Sequence, residues 1–136
     1  MQITRQADYA VRAMVYLAQL EPDQRAATGQ IAQEKNIPPS FLAKIVSQLS
    51  VAGLLQTSRG ARGGVSLAKP AGAISLLDVI EAIDGPILLN DCVGDSMTCT
   101  YDDSCPLKPV WCDAQKMLVD HLSKANFAQF AKVSTN

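Results

Sequence analysis

The chain has 136 residues, 48% apolar and 18% charged, which is enough for one folded core and too apolar for wholesale disorder. Only 5% are aromatic, which argues against a broad base-stacking surface for single strands, and no apolar run reaches membrane-spanning length. The net charge of −1 hides an asymmetry: residues 1–70 hold eight Lys/Arg against four acids, while residues 71–136 hold four Lys against nine acids, so only the first half suits a phosphate backbone.

The opening stretch, MQITRQADYAVRAMVYLAQL, carries Asp8 and Arg12 at helical spacing and does not read as a signal peptide, so a cytoplasmic protein with no membrane partner is expected. Residues 6–20 place Ala7, Ala10, Val11, Met14, Val15, Leu17 and Ala18 at helical spacing. Glu21–Ala27 reads as a loop, and Thr28 can cap a short helix over Gly29–Lys35. The turn NIPPS follows, with Ser40 able to cap a helix over Phe41–Ala52. Leu42, Ile45, Val46 and Leu49 form the apolar stripe of that helix, and Gly53 stands at its C-terminal stop. Two short helices joined by a tight turn, the second with a polar outer face, form a helix-turn-helix pattern.

Leu54–Thr57 and Val65–Ala68 read as two short strands around SRGARGG, where Gly60, Gly63 and Gly64 permit a tight loop bearing Arg59 and Arg62. A basic hairpin directly after such a helix pair is the sequence form of a wing. Lys69–Ala73 is a linker, and Ser75 caps a helix over Leu76–Ile83 that Gly85–Pro86 stops. A final helix is expected from about Val110 to Lys132, with Trp111, Leu118, Leu122 and Ala125 near a 3.5-residue repeat and Ala114, Met117 and His121 beside them. A small head cannot bury that stripe alone, and a second copy would.

Cys92, Cys99, Cys105 and Cys112 are the only cysteines and fall within 21 residues. In a reducing compartment such bunching favours metal or redox chemistry over structural disulfides. The gaps of six, five and six residues lack the short Cys-x₂–₄-Cys knuckle of zinc sites and suit the wider reach of an iron–sulfur cluster. A dithiol switch and a zinc site remain the alternatives. The single histidine, with no Ser–His or paired-carboxylate arrangement, leaves nothing around which to build an enzyme.

These segments, taken in order, resemble the IscR/NsrR-type winged-helix transcription regulators, the Rrf-two family. The resemblance is carried by ITRQADYAVRAMVYLA, IPPSFLAKIVSQLSVAGLL, SRGARGGVSLAKP, ISLLDVIEAIDG and the cysteine segment, and covers nearly the whole chain. It implies a mainly α fold with a small β-hairpin: a winged helix-turn-helix head over 1–70, a connecting helix and linker over 71–90, a cysteine-rich cluster-binding loop over 91–109, and a dimerisation helix and tail over 110–136. It also implies a homodimer on a double-stranded operator with an inverted repeat. Ser40, Phe41, Ala43 and Lys44 would face the major groove, Arg59 would enter the minor groove, and Arg62, Lys44 and Arg5 would hold phosphates, with Gly60 and Gly63 shaping the wing at the DNA. Some relatives carry a glutamate where Ala43 stands, so no operator sequence transfers. Cluster-bearing members use three loop cysteines, here Cys92, Cys99 and Cys105, and a fourth ligand that varies. Where some relatives have a histidine this chain has Lys108; Asp8 of the partner subunit is the favoured fourth ligand and Cys112 the alternative. A 4Fe–4S cluster is favoured over 2Fe–2S. The function expected is regulation of transcription by redox, nitric oxide or iron–sulfur status; the alternative is a cluster-free regulator switched by a disulfide.

Overall fold

The structure is a computed structural model that describes residues 2–21, 24–60, 63–89 and 106–131. Among these residues it is helical, with a two-stranded hairpin. Helix α1 spans Arg5–Ala18, and the Thr4 hydroxyl caps it by accepting from the Ala7 N–H at 3.1 Å. Its buried face is Ala7, Ala10, Ala13, Met14 and Leu17, three alanines that allow close approach to its neighbours. Thr4 also ties this helix start to a distant element: its hydroxyl donates to the Asp84 carboxylate at 2.6 Å, and its N–H reaches the same group at 3.3 Å.

Helix α2 spans Thr28–Lys35, so Thr28 is its first helical residue, and Ala27 occupies the cap position without a side-chain bond. Helix α3 spans Pro39–Val51 with Pro38 at the cap. The expected Ser40 cap is therefore displaced. Proline suits the first helical position, where its missing N–H would lack an intrahelical partner anyway, so the helix starts before Ser40. The buried residues of α3 are the four of the expected stripe, Leu42, Ile45, Val46 and Leu49. Gly53, at φ +81°, takes the left-handed turn beyond its end.

Strands β1 (Leu55–Ser58) and β2 (Gly64–Leu67) pair antiparallel, with Thr57 opposite Val65, one residue off the expected bounds. Ala26 and Val65 exchange two backbone hydrogen bonds of 2.8 and 3.0 Å, which pins the hairpin to the chain ahead of α2. A 3₁₀ turn over Ala71–Ala73 leads to α4, Leu76–Asp84. This helix opens on a reciprocal capping box, in which the Asp78 N–H donates to the Ser75 hydroxyl at 3.0 Å and the Ser75 N–H to the Asp78 carboxylate at 2.9 Å.

Helix α5 spans Lys108–Lys124, so the expected helix to Lys132 ends eight residues early. Ala125 is extended, the Leu76 N–H donates to its carbonyl at 2.7 Å, and Asn126 bridges to Ser75. The Phe127 N–H donates to the Ile74 carbonyl at 3.1 Å, and the Phe127 ring is fully buried, edge-on to Phe130 at 5.5 Å. The residues after α5 thus turn back and close the core of the head. In contrast, α5 itself has no buried residue.

Candidate nucleic-acid interface and sensing surface

Because Leu42, Ile45, Val46 and Leu49 face inward, helical geometry turns Ser40, Phe41, Ala43 and Lys44 outward, and all four are exposed. Phe41, in the first turn, is 45% exposed. It rests against Tyr9 of α1, ring centres 6.0 Å apart at 59°. A second tie between α1 and α3 is the Gln6 side-chain amide donating to the Gln48 carbonyl oxygen at 3.3 Å.

Arg59 is exposed at the end of β1, and Gly60 follows with φ +101°. Gly63 is required for a different reason: a Cβ there would lie 2.3 Å from the Ser58 carbonyl oxygen and 2.8 Å from the Arg59 carbonyl carbon. Only glycine lets the two limbs of the hairpin close this tightly. Arg62 lies outside the described residues.

Arg5 and Asp8 stand at the exposed start of α1 and line an open hollow of about 830 Å³ with Thr4, Tyr9, Arg12 and Asn36. The Asp8 carboxylate pairs with the Arg12 guanidinium at 2.8 Å, both groups half exposed. Arg12 also lies 5.7 Å over the ring of Tyr9. Cys92, Cys99 and Cys105 lie outside the described residues; Cys112 is an exposed free thiol in the second turn of α5. Among the described residues no group of three or more His, Cys, Asp or Glu side chains gathers. His121 is exposed in the last turn of α5.

One arrangement has no clear signal in the sequence. The Gln115 side chain in α5 grips the backbone after α4 from both sides: its amide nitrogen donates to the Ile87 carbonyl, and its oxygen accepts from the Leu89 N–H at 2.9 Å. This holds the chain three residues before Cys92 against α5, one turn from Cys112. A glutamine at a half-buried helix position looks like any other amphipathic residue until its distant partner is known.

The sequence model of a family described as Rrf2, iron-dependent transcriptional regulator, matches residues 3–133. The chain belongs to the Rrf2 family. This family consists of transcriptional regulators rather than enzymes, and the mainly helical fold with a two-stranded antiparallel hairpin is that of its winged-helix members. A protein of Mycobacterium tuberculosis provisionally named as an HTH-type transcriptional regulator is 41% identical over 87 residues, which cover 64% of this chain and 54% of that protein. The match thus spans about half the length of that curated relative. The solved structure of CymR, the global cysteine regulator of B. subtilis, superposes with a TM-score of 0.81 at 27% identity, covering 96% of both chains. The oxidised form of Staphylococcus aureus CymR gives 0.79 at 26% identity over the full length of both. IscR of T. potens shares the fold, with a TM-score of 0.78 at 24% identity over 100% of this chain and 94% of that one. No helix among the described residues is long and apolar enough to cross a membrane.

Proposed function

We propose that this Rrf2-family protein is a homodimeric transcription regulator of the cytoplasm that binds a double-stranded operator with an inverted repeat and responds to an iron–sulfur cluster held by its cysteine segment. The observation that carries the reading is the exposed first turn of α3, with Ser40, Phe41, Ala43 and Lys44 outward and a hairpin bearing Arg59 after it. In this reading the ring of Phe41 meets base edges in the major groove. Arg59 enters the minor groove, and Lys44, Arg62 and Arg5 hold phosphates.

Three features support a second copy. Leu107 at the cap of α5 and Val110 and Met117 within it are 56%, 61% and 72% exposed, they recur at helical spacing, and no other element of the described chain covers them. Leu118 and Leu122 of the expected stripe share a face with Gln115 and are half-buried, so in this reading Leu107, Val110 and Met117 are the residues that a second copy would cover. Two reading heads joined this way match two half-sites related by a two-fold axis.

The donor set fits an iron–sulfur cluster. Cys92, Cys99 and Cys105 supply soft thiolates at wide spacing, and Asp8 supplies an exposed carboxylate at the rim of an open hollow, where another chain can reach it. The Asp8–Arg12 pair is half exposed and therefore weak, so the carboxylate can exchange Arg12 for a metal ion. When bound, a cluster, 4Fe–4S in preference to 2Fe–2S, supplies a centre sensitive to redox state, nitric oxide and iron supply. The residues of the chain would do the rest: the cysteines would hold it, Asp8 of the partner subunit would be its fourth ligand, and the two heads would be fixed at one separation. The family description, iron-dependent, supports this reading.

A second reading, a cluster-free regulator switched by a disulfide, is favoured by the exposed thiol of Cys112 and by the likeness to an oxidised CymR. Native mass spectrometry of protein purified without oxygen separates the two. One cluster per chain in a dimer is the expected result, and Asp8→Ala should then loosen the cluster. A colourless, metal-free dimer that loses two mass units per disulfide in air would replace the first reading with the second.

A further inference from the structure

Four side chains run in contact from the rim of the α1 hollow to the outward face of α3. Asp8 pairs with Arg12 at 2.8 Å, Arg12 lies 5.7 Å over the ring of Tyr9, and Tyr9 lies 6.0 Å from the ring of Phe41. Only the two ends differ in kind: a carboxylate open to solvent at one, an exposed ring on the reading helix at the other. Phe41 has no place in the core stripe of α3, since Leu42 and Ile45 beside it point inward. The ring that holds it belongs to a different helix.

Tyr9 itself is well anchored. It is half-buried against the core, and Ala10 and Ala13 on the same helix are sealed against their neighbours, so its backbone cannot follow Phe41 if that ring moves. Arg12 is shared. One guanidinium serves the carboxylate of Asp8 and the face of Tyr9, and a change at Asp8 alters where its charge sits relative to the ring.

We infer that Tyr9 is a positioning residue for DNA reading by Phe41, and that Arg12 makes this positioning depend on what the Asp8 carboxylate binds. The inference rests on the reading of the α3 face given above. An unsupported phenyl ring at the first turn of a helix samples several rotamers, and fixing it on contact with DNA costs conformational entropy. A ring already seated on Tyr9 avoids that cost only at the base step it fits. The effect therefore falls on discrimination between sequences and leaves general attraction to DNA in place. A ligand held by the Asp8 carboxylate would compete with Arg12 for it and leave the guanidinium to the ring of Tyr9 alone, and the seat of Phe41 would change with it.

The test uses the full chain and two duplexes: one selected by the protein from a randomised pool, and a scrambled duplex of the same length and composition. The quantity read is the ratio of the two affinities, which cancels plain electrostatic effects. Tyr9→Leu should lower that ratio about three- to tenfold, the range for losing one aromatic pair, and Tyr9→Phe should retain it. Asp8→Asn should shift the ratio in the native background and leave it unchanged in Tyr9→Leu. A native ratio in Tyr9→Leu overturns the positioning role. A shift from Asp8→Asn that persists in Tyr9→Leu overturns the route through Arg12. Where Tyr9→Leu loses its thermal transition, Phe41→Leu takes its place, and Asp8→Asn must then be silent on that background. A native chain that selects no sequence at all overturns the reading of α3 and the inference with it, an outcome distinct from the other two.

Discussion

The head and helix α5 have similar apolar stripes and opposite fates. In the head the inward stripes of α1 and α3 are sealed, from Ala7 and Met14 to Leu42, Ile45 and Leu49. In α5 a helix of 17 residues buries none, and Met117 stands 72% exposed. The difference lies in what is available to cover each face. α1 and α3 pack on one another and on α4, whereas α5 meets chiefly α4 along one side, where Gln115 also grips the backbone of Ile87 and Leu89. A periodic pattern reports that a face wants covering; it does not say by which chain.

The sharpest way to break this comparison lies just past α5. Phe127→Ala empties a fully buried site in the head and should lower unfolding free energy by about 3–5 kcal/mol in urea titration. A loss below about 1 kcal/mol would show that the head is complete without the segment after α5. The exposed side of the head should behave in the opposite manner. Arg59→Ala should leave unfolding within about 0.5 kcal/mol of native and weaken binding to the selected duplex by about 1–3 kcal/mol in fluorescence titration. Equal affinity in the variant would remove Arg59 from the interface. Ser75→Ala deletes half of the capping box of α4 and should cost about 1 kcal/mol of stability by the same urea titration. The smallest change in the stability of one chain is expected from Met117→Ala, within about 0.5 kcal/mol. Its effect should appear in sedimentation, as a weaker dimer; an unchanged association constant would put the seam on another face.

Much of the head was legible because its signals are local. The apolar spacing marks α1 and α3, Gly53 marks a stop, Ser75 a start, and the glycines around Arg59 a tight hairpin. The misreadings have physical reasons too. Ser40 looked like a cap, but the Pro38–Pro39 pair had already fixed the helix start. The end of α5 has no strong local signal, since neither Gly nor Pro stops it. What ends it is a long-range exchange: Leu76 donates to the Ala125 carbonyl, and Phe127 inserts beside Ile74. The one local hint was Asn126, whose side-chain oxygen accepts from the N–H groups of Ala128 and Gln129 at 3.0 and 3.3 Å and turns the chain. Of the candidate site, the set Ser40, Phe41, Ala43 and Lys44 is what the family resemblance implies, and the inward stripe of α3 leaves all four exposed. The seating of Phe41 on Tyr9 and the grip of Gln115 are not legible in the sequence, because each joins residues more than twenty positions apart.

Phe127 also sets an order on how the protein is made. Ribosomes deliver the chain from its first residue, and domains commonly fold as they emerge. Here the winged head is synthesised first, yet Ile74 and its neighbours stay uncovered until residue 127 has followed. The core beside Ile74 thus closes only after Phe127 has been synthesised. A chain cut short before Phe127 would carry the outward face of α3 on a head with an uncovered core, a form expected to be more open to proteolysis.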